Sequence, residues 1–281
     1  MAASVLFDAP GPKTAARHRI YTAVSGFILA ALLGLLIFQL WRKDQFAYEL
    51  WEPFVTPKIV QLLLEGLSKT LQAAVFAIAG ALALGVFLGV GKLSQHRPLR
   101  WPSWLVVEFF RAVPLLLLIV ALWFSLGAKP GTTAFAALVI GLLLYNGAVF
   151  AEIFRAGINA VPKGQSEAAY AIGMRKSKVM RIVLIPQAVK IMLPSLISQA
   201  IVALKDTSLG YAILAPGLTY SGKLIFGTFR NTIQTAFVLA VIYIVLNLLL
   251  SWLATWAQKR VTGDQKIQIV AGQVVPTPRD L

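Results

Sequence analysis

An all-α, polytopic membrane protein of about six transmembrane helices is predicted for this chain by three observations. The composition is 58% hydrophobic with only 13% charged residues, too apolar for an ordinary soluble domain. The apolar residues fall in runs of roughly 20 or more, the length a helix needs to cross a bilayer. The basic residues crowd into alternate connecting segments, as the positive-inside pattern requires. The reading is about six spans and a polar loop lying outside the bilayer.

Composition also excludes several functions. The net charge of +15 suggests nucleic acid at first sight, yet the cations lie between apolar spans rather than along one face with aromatics, so no nucleic-acid partner is expected. The absence of cysteine removes disulfides, thiol catalysis and thiolate metal sites. His18 and His96 sit in the N-terminal tail and in a loop. The chain has no phosphate-cradling G-x-x-x-x-G-K-[ST] segment and no G-x-S-x-G turn. No catalytic residue, metal ligand or cofactor is therefore expected, and any ATP must be hydrolysed by a separate polypeptide.

Taken in order, residues 1 to 19 form a polar tail with Lys13, Arg17 and Arg19, followed by a span from Ile20 to Trp41. That run is longer than the apolar region of a signal peptide and lacks a small-residue cleavage site, so it reads as retained. Residues 42 to 60, with Trp51, Pro53 and Pro57, connect it to a second span, Leu62 to Val90. There Ala73, Ala77, Ala81, Gly85 and Gly89 recur every fourth residue, a stripe that lets a neighbouring helix approach closely. Glu65 and Lys69, four apart, are placed to pair. A third span, Trp104 to Leu126, should kink at Pro114, and Glu108 and Arg111 are spaced to pair within it. The fourth, Ala134 to Arg155, buries Asn146, either a path residue or an interhelical hydrogen-bonding group, and ends in the Glu152 and Arg155 pair. The fifth, Ile191 to Leu214, carries Lys205 and Asp206; adjacent helical residues point about 100° apart, so each needs a partner elsewhere. A re-entrant segment with Pro216, Gly217, Tyr220, Lys223 and Arg230 precedes the sixth span, Ala236 to Trp256. The tail after Lys259 reads as disordered. The domains are thus residues 1–60 (tail, extra helix and loop), 61–258 (the transmembrane core) and 259–281.

The polar stretch from Glu167 to Pro186 organises the rest. Two helical patterns, Gln165 to Ile172 and Lys176 to Ile185, flank Gly173, which permits a tight turn. Ala168 and Ala169 are small enough for a helix to sit in a partner's groove. Arg175, Lys176, Lys178 and Arg181 suit either acidic groups on a partner or anionic lipid headgroups.

Glu167-Ala168-Ala169, then Gly173, then Val183-x-Ile185-Pro186 resembles the "EAA" cytoplasmic loop of ATP-binding-cassette (ABC) importer permeases, with Val and Ile replacing the more usual Ile and Leu. Three further segments resemble the polar amino acid permeases among them. These are the span entrance from Leu64 to Leu71, the Glu108-x-x-Arg111-x-x-Pro114 segment (with Ala112 and Val113 in place of Gly and Thr), and Lys205-Asp206-Thr207-Ser208-Leu209. The resemblance covers roughly residues 61 to 258 and implies a five-helix permease core plus one N-terminal helix, and the whole length, with its Val5-Leu6-Phe7-Asp8-Ala9-Pro10 tail, is similar to permease subunits of actinobacterial glutamate uptake systems. It implies that Gly164, Gln165, Glu167, Ala168, Ala169, Gly173 and Pro186 couple to an ATPase subunit. It further implies a second permease subunit and an extracytoplasmic amino-acid-binding protein. Asn146, Arg111, Lys205, Asp206 and Ser208 become candidates for a path taken by a polar amino acid, glutamate first.

With the N-terminus inside, 17 of the 26 basic residues fall in cytoplasmic segments, which places the Glu167 loop and both termini in the cytoplasm of a plasma-membrane protein. Two rivals stand beside the importer. An ion-coupled secondary transporter would use Lys205 and Asp206 as a relay and need no ATPase. A membrane enzyme acting on lipid lacks a nucleophile or metal constellation.

Overall fold

The computed structural model describes residues 12–262, and every regular element in that range is helical. The helices are α1 (Pro12–Arg42), α2 (Tyr48–Trp51), α3 (Pro57–Leu93), α4 (Arg97–Ala112), α5 (Leu115–Ser125), α6 (Thr132–Asn159), α7 (Lys163–Ala171), α8 (Lys176–Lys178), α9 (Ile185–Asp206), α10 (Leu218–Phe229) and α11 (Thr232–Thr262). A π-helical segment, Val179–Leu184, joins α8 to α9, and a 3-10 segment, Thr207–Ile213, follows α9. The Val5 to Pro10 motif and the tail with Pro276 and Pro278 lie outside the described residues.

The centre of the bundle is α3 packed along α6. Ala73, Ala77, Ala81, Gly85 and Gly89 are all buried, and the reason for the small residues is visible at Gly85. A methyl group there would stand 2.6 Å from Cβ of the fully buried Phe150 and 3.1 Å from the Gly147 carbonyl. Three apolar clusters extend this contact. Ala73 and Ala77 meet Ile119, Leu138, Leu142 and Ile213; Leu88 meets Val107, Ala148 and Ala151; Leu63 meets Leu218 and Ile225.

Five helices are long and apolar enough to cross a membrane: Arg17–Arg42, Pro57–Leu93, Thr132–Asn159, Lys176–Ile213 and Thr232–Arg260. The sixth candidate is the pair α4 and α5, which differs from the kinked span expected at Pro114. The two helices meet at 100°. Proline drives the residue before it into extended backbone, and Val113, at φ −77 and ψ 128, ends α4 instead of bending it.

The span expected from Ile191 starts earlier, since one helical path runs from Lys176 to Ile213. Pro186 sits in the first turn of α9. The π-helical turn ahead of it belongs where the regular hydrogen-bond ladder is interrupted, and the proline supplies that interruption. The segment expected to be re-entrant is helical, α10, and two hydrogen bonds, one buried and one half-buried, tie it back to α3. The Leu218 N–H donates to Thr70 Oγ1 at 2.8 Å, and Ser221 Oγ donates to the Leu62 carbonyl at 3.1 Å. Asn231, at the turn into α11, donates to the Leu50 carbonyl at 2.9 Å.

Glu65 and Lys69 do not pair. Gln61 Nε2 donates to Glu65 at 2.8 Å and Lys69 donates to Gln72 at 3.2 Å, because each finds an amide within its own turn. Along α1 and on one face of α11 the large apolar side chains remain exposed, Phe27, Leu32, Leu248 and Trp252 among them.

Candidate functional site

The first part of the site is the turn between α7 and α8. Gly173 has φ +79, the left-handed conformation that L residues other than Gly, Asn and Asp adopt at a cost. Its N–H donates to the Tyr170 carbonyl at 2.9 Å, while Met174 N–H donates to the Ala169 carbonyl at 3.2 Å. This double bond pattern is the Schellman ending of a helix. Ala169 is buried where α7 packs on the π-helical segment, together with Val179. Gly164, Gln165, Glu167, Ala168 and Pro186 are exposed. Gln187, which sequence reasoning passed over, closes the turn by donating to Gln165 Oε1 at 3.3 Å and to the Val183 carbonyl at 3.0 Å.

The intramembrane candidates divide between two cavities. Asp206 and Arg111 line one of about 540 Å³, with Tyr145 and Gln199, against an apolar wall that includes Leu115 and Val149. Lys205 and Ser208 line another of about 540 Å³, with Tyr243 and Asn247 of α11. The helical angle between Lys205 and Asp206 sends them to different cavities, and neither enters an ion pair among the described residues. Asn146 faces neither cavity. It is fully buried, donates to the Leu142 carbonyl at 2.9 Å and accepts from Gln199 Nε2 at 2.8 Å.

Beyond these, the ends of α3, α4 and α6 carry a chain of charges in alternating sign. Lys92, only 6% exposed, bridges Glu152 of α6 and Glu108 of α4, the latter at 3.4 Å. Arg111 holds Glu108 at 3.4 Å and Arg155 holds Glu152 at 2.9 Å. The two local pairs were readable from i,i+3 spacing. Lys92 as the link between them was not, being 60 positions from Glu152.

The Arg111 cavity offers a guanidinium that can grip a carboxylate, a carboxylate that can hold an ammonium group, and the polar tips of Gln199 and Tyr145. No nucleophile with an adjacent base and no metal-binding cluster accompanies them among the described residues. A helical membrane bundle with polar cavities between its spans is the arrangement of a transport component. The chain belongs to the family of binding-protein-dependent transport system inner membrane components, whose model matches residues 81–263, and it is accordingly a multi-pass inner membrane protein. Over 233 residues it is 40% identical to the glutamate transport system permease protein GluD of Corynebacterium glutamicum, covering 81% of this chain and 85% of that protein. It is 31% identical over 207 residues to the arginine transport system permease protein ArtQ of Bacillus subtilis, covering 73% of this chain and 94% of the relative. Among solved structures, an amino acid ABC transporter crystallised with histidines superposes with a TM-score of 0.68 at 33% identity, covering 72% of this chain and 95% of that one.

Proposed function

We propose that this chain is the permease subunit of an ATP-driven importer for amino acids with acidic or amide side chains, glutamate first, and that the Arg111 cavity is its substrate path. The observation that carries the reading is the placement of Arg111 and Asp206 on one cavity. Burying a zwitterion is costly unless both its charges find partners, and these two residues supply one of each sign. Gln199 and Tyr145 add neutral hydrogen-bonding groups, which suit a carboxylate or amide side chain better than a second cation. Glutamate is the named substrate of the 40% identical relative. Lys205 and Ser208 line the separate cavity on the α11 side and are not part of this path.

In this reading the exposed turn at Gly173, with Gly164, Gln165, Glu167, Ala168, Ala169 and Pro186 about it, docks into the ATPase subunit on the cytoplasmic side. Both termini lie on that side, residues 61–258 form the translocating unit, and residues 1–60 are an addition to it. A binding protein outside delivers the amino acid to a path formed with a second permease subunit. The open side of the cavity and the uncovered apolar faces of α1 and α11 leave surface for that subunit and for lipid. ATP binding and hydrolysis move the turn and switch access.

The test is competition for labelled glutamate uptake in cells carrying the complete system. Unlabelled aspartate and glutamine compete under this assignment and arginine and lysine do not. Competition by the basic amino acids alone would overturn the substrate class.

A further inference from the structure

Arg111 lines two cavities. One is the Asp206 cavity; the other, of about 550 Å³, lies at the ends of α3, α4 and α6 and is bordered by Lys92, Arg100, Glu108, Glu152 and Arg155, with Trp101 and Trp104 as aromatic walls. The two follow each other along the same helix faces. On α4 the lining residues Trp104, Glu108 and Arg111 recur at i, i+4 and i+7; on α6, Tyr145, Val149 and Glu152 do the same. At 1.5 Å per residue the levels of Tyr145 and Glu152 are about 10 Å apart, far enough to be separate stations on one lane.

The charges of the second cavity do not cancel. Four cations border it against two carboxylates. Lys92, buried between Glu108 and Glu152, already neutralises much of both. Arg111 and Arg155 therefore each hold one carboxylate edge and keep further N–H donors free, since a guanidinium carries five. Arg100 is exposed and makes no ion pair among the described residues. A cavity of this balance attracts a substrate of net charge −1.

Resting on the acidic-amino-acid reading above, we propose that this second cavity is a release site. Arg111 exchanges its hold on Glu108 for the substrate carboxylate, and Arg155 and Arg100 then draw that carboxylate toward the α7 end of the bundle. Glu108 is a positioning residue that keeps Arg111 poised between the two cavities. The cost of moving an anion out of the membrane interior is divided into two short steps, each between fixed guanidinium groups.

The experiment uses the transporter purified with its ATPase and binding protein and reconstituted in proteoliposomes, with labelled glutamate as the probe. Arg100→Gln should lower kcat for glutamate about threefold, and together with Arg155→Gln about tenfold, with KM for the loaded binding protein unchanged and Arg100→Lys restoring the rate. An unchanged kcat for the double variant, or a loss that Arg100→Lys does not restore, would overturn the release site. Asp206→Asn is the separate check on the underlying path: if it abolishes uptake while the arginine variants do nothing, only the release site fails, and if it leaves uptake unaltered, the path reading itself fails.

Discussion

Gln199 of α9 donates its side-chain amide to Oδ1 of Asn146 on α6 at 2.8 Å, joining a fully buried residue to one that lines the Asp206 cavity. Interhelical bonds of this kind are worth about 1 kcal/mol in a bilayer, so their larger effect is on orientation. Gln199→Glu would place a second carboxylate beside Asp206. The expected result is a loss of glutamate uptake of at least tenfold with gain of competition by arginine, measured in whole cells. Asn146→Leu should free Gln199, raising KM for substrate several-fold while the protein still inserts.

Lys92 is the sole cation placed between Glu108 and Glu152 among the described residues, and it is nearly enclosed. Removing one partner of a fully buried pair costs about 3 kcal/mol, and the loss here is smaller, because Glu108 is half-exposed and Glu152 keeps Arg155. Lys92→Met should therefore lower the thermal stability of the purified protein measurably. The double variant Lys92→Met with Glu152→Gln should recover most of it, a coupling that a thermal-shift double-mutant cycle measures.

These two cases mark what was legible in the sequence. The α3 stripe and the Gly173 turn were readable because each follows from one local rule, four-residue spacing or a left-handed glycine. Helical geometry set Lys205 apart from Asp206, but the separate charged partners it called for are not found among the described residues. The Lys92 bridge and the Gln199–Asn146 bond were not readable, since both join segments far apart in the chain and no spacing rule reports which helices become neighbours. Pro114 announced a bend, but its 100° size depends on where α5 finds its packing surface on α6. Glu65 and Lys69 misled because amides in the same turns compete for their hydrogen bonds.

At Gly173 no side chain would meet a neighbour, since nothing lies within 4 Å of the added carbon. A substitution there acts through backbone strain of about 1 kcal/mol, more for a β-branched residue. Gly173→Val should weaken co-purification of the ATPase and uncouple transport, whereas Gly173→Asn, which tolerates the left-handed conformation, should keep both. Retention of the ATPase by both variants would remove the turn from the coupling surface.

The lack of cysteine makes single-cysteine labelling a clean test of orientation. Lys176→Cys, in the turn, should react with a membrane-impermeant maleimide only in permeabilised cells. Lys129→Cys, in the connection between α5 and α6, should react in intact cells. The reverse pattern would invert the protein.

Glutamate uptake by the reconstituted complete transporter, with and without ATP inside the proteoliposomes, measures most directly whether this chain carries an amino acid by ATP-driven transport. Uptake should require ATP and the binding protein and be indifferent to imposed sodium or proton gradients. Accumulation that proceeds without ATP and follows an ion gradient would contradict the account and favour a secondary transporter built on Lys205 and Asp206.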